Sequence, residues 1–493
     1  MRSGWRSARS RLLADGAADG QPARPAPSLP PSLPPSLPPA PRTAGRRPLA
    51  RAAAPPAPAA PVPEVKTIGG LWRLLVTGVE WTPLFIGFLA YMFTVITRVV
   101  NIGDVAVAFC MVALLLQREK IRVPGFFIWM VAFAAWAWVG YASTEYPMLV
   151  SERAIGLVKL CVIVLVAANA LRTPAQLRFF FVFFLGCFAL FPLRGAYFNY
   201  YIYNHRPFGR AVWKYIYANP NDLAMLSALQ LSMAAGLLVG QREKLLRLLS
   251  LAGVGMVTLL IFMTQSRGAI VASSVFGIAT LVYSKHNRLR TMVVAAAVGV
   301  VLMMFAPKKV WDRLEGLTNI GNTTQLRTVD KEGSAEQRFE IWKVARAIIK
   351  EHPVFGVGVG AYPAAHNLYA QRPQFLRTAR GFRDTHSTYL NVIAETGFLG
   401  LALFLGVFGS VALRAERVRR RARAAVPHLA QQLLFLELGL LAFFVAGLFG
   451  SYAHLAFAYV HLVLTWTFAE SVAATGGAPA PATPAATFRR GRR

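Results

Sequence analysis

Charged residues, and acidic ones above all, are scarce in this chain. Charged residues make up 15% of its 493 residues, with 22 Asp and Glu against 53 Lys and Arg. Hydrophobic residues make up 55%, which is more than a soluble protein of ordinary composition carries. They stand in blocks of roughly 17–25 residues, the length of a membrane helix. The composition therefore predicts a polytopic membrane protein.

Cysteine is also rare, and the spacing typical of metal ligands is missing. Cys110, Cys161 and Cys187 all lie inside apolar blocks, with no metal-binding pattern around them. We expect all three to be core residues.

The formal net charge of +31 would suit a nucleic-acid-binding protein. The basic residues, however, gather in short loops between apolar blocks, as the positive-inside rule expects, and not along one polar face. We therefore expect no nucleic-acid partner. The cytoplasmic basic loops are expected to meet membrane lipids.

Composition divides the chain into three regions. Residues 1–65 are rich in Ala, Pro and Arg, and their repeat PPSLPPSLPP cannot build a core, so we expect a disordered tail. A wrongly assigned start codon would account for this stretch equally well. Residues 66–475 form the predicted transmembrane domain, and residues 476–493 a basic cytoplasmic tail.

The apolar blocks predict about twelve membrane spans, and so an all-α helix bundle. Basic loops such as QREKIR and RAERVRRRARA follow every second span, which places these loops and both termini in the cytoplasm. Larger loops at 198–221 and 307–386 then lie on the outer side. The predicted blocks are 82–100, 103–117, 125–143, 148–170, 178–197, 222–240, 246–265, 268–284, 291–306, 387–413, 431–450 and 452–472.

The predicted outer side carries more Lys and Arg than the positive-inside rule expects there. An anionic ligand is the simplest reason for cations on that side. They are Arg194, Arg206, Arg210, Lys214, Arg267 and Arg338.

The second outer loop shows internal order. Phe339, Trp342, Ala345 and Ile349 recur at helical spacing, which predicts an amphipathic helix with Arg338 in its first turn. The glycine-rich stretch VFGVGVG follows it. Because no strand precedes that stretch, we interpret it as a hinge or a close backbone crossing, not a dinucleotide site.

Four segments carry a resemblance to a known family: ANPNDLA, TQSRGAIVA, EQRFEIWKVARAIIKEHPVFGVGVGAY and HSTYLNVIAETGFLG. With their order and membrane placement, the chain from about 80 to 470 resembles the O-antigen ligase and polymerase family. The resemblance implies a helix bundle of the membrane glycosyltransferase type in the bacterial inner membrane. It also implies an undecaprenyl-diphosphate-linked glycan as donor, inverting transfer at the periplasmic face and no metal cofactor.

Transfer from a diphosphate carrier needs cations for the leaving group and a base for the acceptor hydroxyl. Metal-dependent relatives would use paired carboxylates, but the sequence has no Asp-x-Asp. We therefore predict that Arg267 and Arg338 bind the diphosphate, with Arg210 as a further substrate-binding candidate. Arg267 would otherwise be a snorkelling anchor, and Arg338 a solvated charge paired with Glu336 or Glu340.

His386 is the predicted base, because imidazole titrates near neutral pH. A helix-capping histidine is the alternative. Asp384 is predicted either to orient the ring or to act as the N-cap of the following helix. Glu395 lies nine residues further on, on nearly the opposite helix face, so we expect it to support the structure with Asn391 through hydrogen bonds.

The predicted function is ligation of O-antigen to the lipid A core. Polymerisation of repeat units, transfer to Ser or Thr of a secreted protein, and an exosortase-associated ligase share the same chemistry. A transporter or lipid flippase is the alternative from another class, because it would also need about twelve spans and buried cations. The internal repeats that transporters often show are not visible in this sequence.

Overall fold

A computed structural model gives the arrangement of residues 67–283, 289, 292–293 and 334–477. Over these residues the protein is helical, with no β-strand, which confirms the all-α class. The predicted tail 1–65, the span 291–306 apart from Met292 and Val293, and the tail from 478 onward lie outside the described residues.

Each predicted apolar block that the structure describes contains a helix, while α1, α11 and α12 lie outside the blocks. In chain order the described α-helices are α1 (Ile68–Val76), α2 (Pro83–Thr97), α3 (Gly103–Leu116), α4 (Phe127–Val139), α5 (Pro147–Ala170), α6 (Pro174–Phe188), α7 (Arg194–Tyr201), α8 (Pro220–Gly240), α9 (Lys244–Met263), α10 (Arg267–Tyr283), α11 (Ser334–Glu351), α12 (Tyr362–Tyr369), α13 (Thr388–Ala422), α14 (Pro427–Ala446) and α15 (Ala456–Gly477).

Length and composition identify two groups of apolar helices among those described. Within the described ranges, six are long and apolar enough to cross a membrane, and α6 runs on through a π turn into α7 as one of them. Four more are apolar but only 10–17 residues long. The protein is therefore a multi-pass helical bundle, while the count of about twelve spans stays a prediction.

Proline and a preceding polar residue set where several helices begin. The Thr82 hydroxyl accepts a hydrogen bond from the Phe85 amide at 3.2 Å, just ahead of α2. Thr173 and Gln176 form a capping box at α6, and the Asn219 side chain caps α8. Because the first helical amides lack partners within the helix, these side chains satisfy them and fix the helix ends.

Large aromatic side chains fill the core between α13, α14 and α15. The Phe408 ring stacks on Phe443 with centroids 5.3 Å apart, and it meets Tyr459 of α15 at the same separation. All three side chains are almost fully buried. The long α13 is thereby held against both C-terminal helices.

Helix α13 is broken near its start by Gly397, whose φ is 70° and ψ −175°. The glycine-rich segment crosses the helix at this break. The Val357 amide donates to the Ala394 carbonyl at 2.9 Å, and the Phe398 amide donates to the Pro353 carbonyl at 3.1 Å. Gly356 has a φ of +67° and lies directly against the backbone of Glu395. The stretch is therefore a close backbone crossing that ties the segment after α11 to the bundle.

The loop helix α11 packs on α13, but its buried face differs from the predicted one. The buried side chains are Ile341, Val344, Ala345 and Ile348, whereas Phe339 is exposed. The Lys343 ammonium lies over the Phe339 ring, 5.0 Å from its centroid. The prediction followed the aromatic residues, and aromatic rings can also remain outside when a cation covers them.

We expect Gly397→Ala to destabilise the protein by about 2 kcal/mol or more, because alanine disfavours positive φ and its Cβ would meet the Val354 carbonyl. Gly409→Ala, in the same helix and facing open space, should be neutral or stabilising by up to about 1 kcal/mol. Unfolding midpoints of the two purified variants check this. Equal shifts would contradict the role assigned to the break.

Candidate functional site

Two segments that are distant in sequence join through the side chain of Thr388. Its hydroxyl donates to the Gly450 carbonyl at 2.7 Å and accepts from the Tyr452 amide at 2.9 Å. The Thr388 amide donates to the Gly447 carbonyl at 2.7 Å. The start of α13 and the loop between α14 and α15 thus form one wall, here called the Thr388 wall, made of residues 384–388 and 447–452.

The loop helix α11 attaches to the same wall. The Trp342 indole donates to the Thr385 carbonyl at 2.8 Å, and the Thr385 hydroxyl lies 3.0 Å from the Ser451 hydroxyl. Arg338 precedes Trp342 by four residues, so both side chains lie on one face of the helix. This contact brings Arg338 toward the wall.

His386 sits in the wall between two buried neighbours, Thr385 and Ser387. Its φ of 49° is unusual for a residue with a side chain. Ser387 occupies the N-cap position of α13, so neither His386 nor Asp384 has the capping role that the sequence left open.

The imidazole of His386 favours its neutral form. Burial lowers the pKa of His386 below its usual range, the Asp384 carboxylate opposes this shift, and the Arg338 and Arg383 guanidiniums add to it. Near neutral pH the ring therefore has a nitrogen ready to accept a proton. The charges of Asp384 and Arg338 therefore both act on the ring, with opposite effects on its pKa.

Arg210 and Arg267 belong to the opposite side of the site. The Arg210 guanidinium donates to the Thr264 carbonyl and to the Asn221 side-chain oxygen, both at 2.7 Å. The Gln265 side chain returns a hydrogen bond to the Gly209 carbonyl at 2.8 Å. Arg210 therefore lies along the turn that leads into α10, whose first residue is Arg267.

Tyr452 connects the two sides. Its hydroxyl donates to the Asn221 carbonyl at 3.4 Å, and its side chain is almost fully buried. Burial raises the pKa of Tyr452. The charged groups that act on its hydroxyl come from both sides of the site and are Asp222, Arg338, Asp384 and Arg210.

Sequence reasoning missed Asp222 and Tyr452. Of the three polar residues at the start of α8, Asn219 alone caps the helix, and Asn221 binds Arg210. The charge of Asp222 acts on Tyr452 and interacts with Asp384. A helix needs only one capping side chain. The additional polar residues in the segment ANPND were therefore the sequence signal that could have identified Asp222.

The position of Arg338 differs slightly from the prediction. Helix α11 begins at Ser334, so Arg338 is its fifth residue and lies just past the first turn. Glu340, a predicted partner for Arg338, is buried and receives a hydrogen bond from Lys343 at 2.7 Å. The Glu336 side chain lies outside the described part of the helix.

Glu395 and Asn391 lie deeper in α13 than the wall and are both buried. The Asn391 side chain donates to Glu395 at 3.2 Å. A His454 ring nitrogen lies 3.4 Å from the other Glu395 oxygen. Glu395 is thus paired with the loop between α14 and α15, and it reinforces the wall from below.

Tyr362 and His366 of α12 form a fully buried pair behind Asp384, with ring centroids 5.5 Å apart. The Tyr362 hydroxyl and both His366 ring nitrogens have no hydrogen-bond partner among the described residues. Burial, with a smaller contribution from Arg383, lowers the pKa of His366 to about 4. The Asp384 charge acts on Tyr362.

Metal-ligating side chains do not cluster in the parts of the chain that the structure describes. No group of three or more His, Cys, Asp or Glu residues there is arranged to hold a metal ion. Cys110, Cys161 and Cys187 are buried free thiols, which confirms the prediction that they are core residues.

Because His366 is held neutral, we expect the folded state to lose stability as pH falls from about 6.5 to about 4, where only the unfolded chain binds the proton readily. The loss should reach about 3 kcal/mol at most. His366→Gln should remove this component, so its unfolding midpoint should depend less steeply on pH than that of the wild type.

His205→Gln, which removes an exposed histidine, serves as the control and should follow the wild type. Parallel pH dependence in the wild type and His366→Gln would contradict the burial of a neutral imidazole at this position.

Two comparisons with known proteins bear on this site. Residues 251–405 match the family model described as O-Antigen ligase, a range that includes Arg267, Arg338 and His386. An uncharacterized protein of Haemophilus influenzae is 25% identical over 116 residues, which cover 23% of this chain. The match spans 29% of the length of that relative.

Proposed function

Because residues 251–405 carry an O-antigen ligase domain, we propose that this membrane protein transfers a glycan from an undecaprenyl-diphosphate carrier to an acceptor hydroxyl. The reaction takes place at the periplasmic face of the bacterial inner membrane, and the acceptor is a sugar of the lipid A core. The observation that carries this proposal is the His386 imidazole. Burial lowers its pKa, and the charges of Asp384 and Arg338 both act on it.

The donor diphosphate binds to arginine side chains. The contact between Trp342 and Thr385 brings Arg338 to the site. The turn that precedes α10 brings Arg210 and Arg267 to it. A guanidinium presents a planar fork of donors that suits phosphate oxygens. As the bond to the sugar breaks, negative charge grows on the phosphate, and fixed cations stabilise it without a metal ion.

His386 accepts the proton of the acceptor hydroxyl as its oxygen attacks the anomeric carbon. The bond between that carbon and the phosphate oxygen breaks, and the undecaprenyl diphosphate leaves with the electron pair. Attack opposite the leaving group inverts the configuration. The Asp384 charge favours the imidazolium that forms, because it raises the pKa of His386.

Asp222 and Asp384, which come from the two sides of the site, bind the acceptor sugar. Their charges interact with each other and with the Tyr452 hydroxyl. Carboxylates accept hydrogen bonds from sugar hydroxyls and repel phosphate, so these two groups favour the acceptor sugar over the diphosphate.

Replacing His386 with alanine should lower transfer by 10²-fold or more, as expected for the loss of a general base. Purified protein is incubated with the lipid-linked glycan, a chelator and candidate acceptors, and the product identifies the acceptor. His428→Ala is the control, because His428 begins α14, about 30 Å along that helix from the Thr388 wall.

Undiminished transfer in His386→Ala would exclude His386 as the base, and transfer that stops with the chelator would contradict a metal-independent reaction. Transfer to a protein or to a second repeat unit would replace the lipid A core as acceptor. Failure of the wild type with every acceptor would favour transport.

Asp222→Asn should raise the KM for the acceptor by about tenfold and leave the KM for the donor nearly unchanged, because it weakens hydrogen bonds made by one substrate only. Asp104→Asn is a matched control: Asp104 also lies in the first turn of a helix but is exposed and paired with Lys159. Steady-state kinetics with each substrate varied in turn measure both constants. An increase confined to the donor KM would overturn the assignment.

A further inference from the structure

A cavity of about 410 Å³ opens between the ends of α2, α3, α5 and α6. Its lining includes Glu80, Pro83, Phe109, Gln117 and Arg118. This volume lies within the range of sites that bind small organic molecules. The cavity contains none of the residues assigned to glycan transfer.

The cavity lies at the end of the bundle opposite the candidate site. The Tyr217 hydroxyl donates to the Ile96 carbonyl at 3.0 Å, which ties the C-terminal end of α2 to the loop that carries Arg210. Pro83, at the other end of α2, lines the cavity. The 13 residues between Pro83 and Ile96 correspond to about 20 Å of helix.

The polar rim of the cavity is held in place by buried amides. The Asn169 side chain is almost fully buried and accepts from the Arg172 guanidinium at 2.6 Å, while Arg172 also pairs with Glu119. The Gln176 side chain, also buried, donates to the Glu80 carbonyl at 2.7 Å. The rim therefore presents a fixed arrangement of charges.

Three polar groups of this rim remain available to a ligand. Neither Glu80 nor Arg118 forms an ion pair with another described residue, and both are exposed. The Gln117 side-chain nitrogen is buried and has no acceptor among the described residues. A buried donor without an acceptor is costly, so a group that accepts its hydrogen bond would stabilise the site.

An apolar strip adjoins the rim on α3. Phe109, Val112 and Leu116 line the cavity and are 49%, 55% and 77% exposed. Their spacing of three and four residues places them on one face of the helix. In a membrane this face meets lipid chains, so the cavity combines a charged end with an apolar wall.

We propose that this cavity binds a zwitterionic phospholipid whose head group ends in a primary ammonium, as in an ethanolamine lipid. The phosphate accepts hydrogen bonds from Arg118 and from the Gln117 nitrogen, and the ammonium donates to Glu80. One acyl chain lies along the apolar strip of α3. This site is independent of the proposed glycan transfer.

The head-group preference follows from the two charges. A glycerol head group offers Glu80 hydroxyl donors but no cation, so it forms only neutral-donor hydrogen bonds with the carboxylate, which are weaker than those of an ammonium. A choline head group has a cation without N–H donors and cannot hydrogen-bond to Glu80. We therefore expect the ethanolamine lipid to be retained about tenfold more than either of the others.

The test is native mass spectrometry of the full chain after exchange into an equimolar mixture of ethanolamine, choline and glycerol phospholipids with identical acyl chains. Arg118→Ala should lose retention of all three lipids. Glu80→Gln should keep phospholipid binding but lose the preference for ethanolamine over glycerol. Lys120→Ala is the matched control, because Lys120 lies in the same basic loop and outside the cavity lining.

Wild-type behaviour in Lys120→Ala, together with these two losses, would support the proposal. Equal retention of the three lipids by the wild type would overturn it, as would an unchanged ethanolamine preference in Glu80→Gln. Equal losses in Lys120→Ala and Arg118→Ala would show a diffuse attraction of the basic loop instead of a site. Unfolding midpoints of each variant separate lost binding from lost folding.

Discussion

The pair of hydrogen bonds made by the Thr388 hydroxyl is the constraint on which the candidate site depends. One bond goes to the Gly450 carbonyl and the other comes from the Tyr452 amide. They join the first turn of α13 to a loop more than sixty residues away in sequence. His386 precedes this junction by two residues, and Tyr452 lies within it. Because the junction is buried, the hydrogen bonds face no competition from water and hold the wall in one geometry.

The break in α13 has a complementary role. At Gly397 the helix gives up its regular backbone, and the glycine-rich segment supplies hydrogen bonds to the carbonyls of Ala394 and Glu395. This crossing anchors the segment that follows α11, while the contact between Trp342 and Thr385 anchors α11 itself. Two attachments hold α11 on the bundle, and the charge of Arg338 therefore acts on both His386 and Tyr452. Helix α11, which lies outside the predicted spans, therefore contributes Arg338 to the candidate site.

Local sequence pattern predicted much of this fold and some of the site. Apolar blocks located most of the described helices, and the helical spacing of apolar residues after residue 334 located α11. The outer-loop cations pointed to an anionic ligand, and the histidine before α13 pointed to proton transfer. Tyr452 and Asp222 could not be found in the same way, because their importance arises only when Tyr452 meets the carbonyl of Asn221. The pairing of Glu395 with His454 likewise depends on the packing of α13 against the α14–α15 loop, which no local periodicity encodes.

The proposed function requires that a lipid diphosphate binds beside the Thr388 wall with the reacting sugar next to His386. The most direct measurement is a cryo-electron microscopy map of the His386→Ala variant in a lipid nanodisc with undecaprenyl-diphosphate-linked glycan. The proposed function predicts density for the diphosphate within hydrogen-bonding distance of the Arg267 and Arg338 guanidiniums, with the first sugar directed at position 386. A diphosphate bound away from both arginines, or a sugar directed away from position 386, would contradict it.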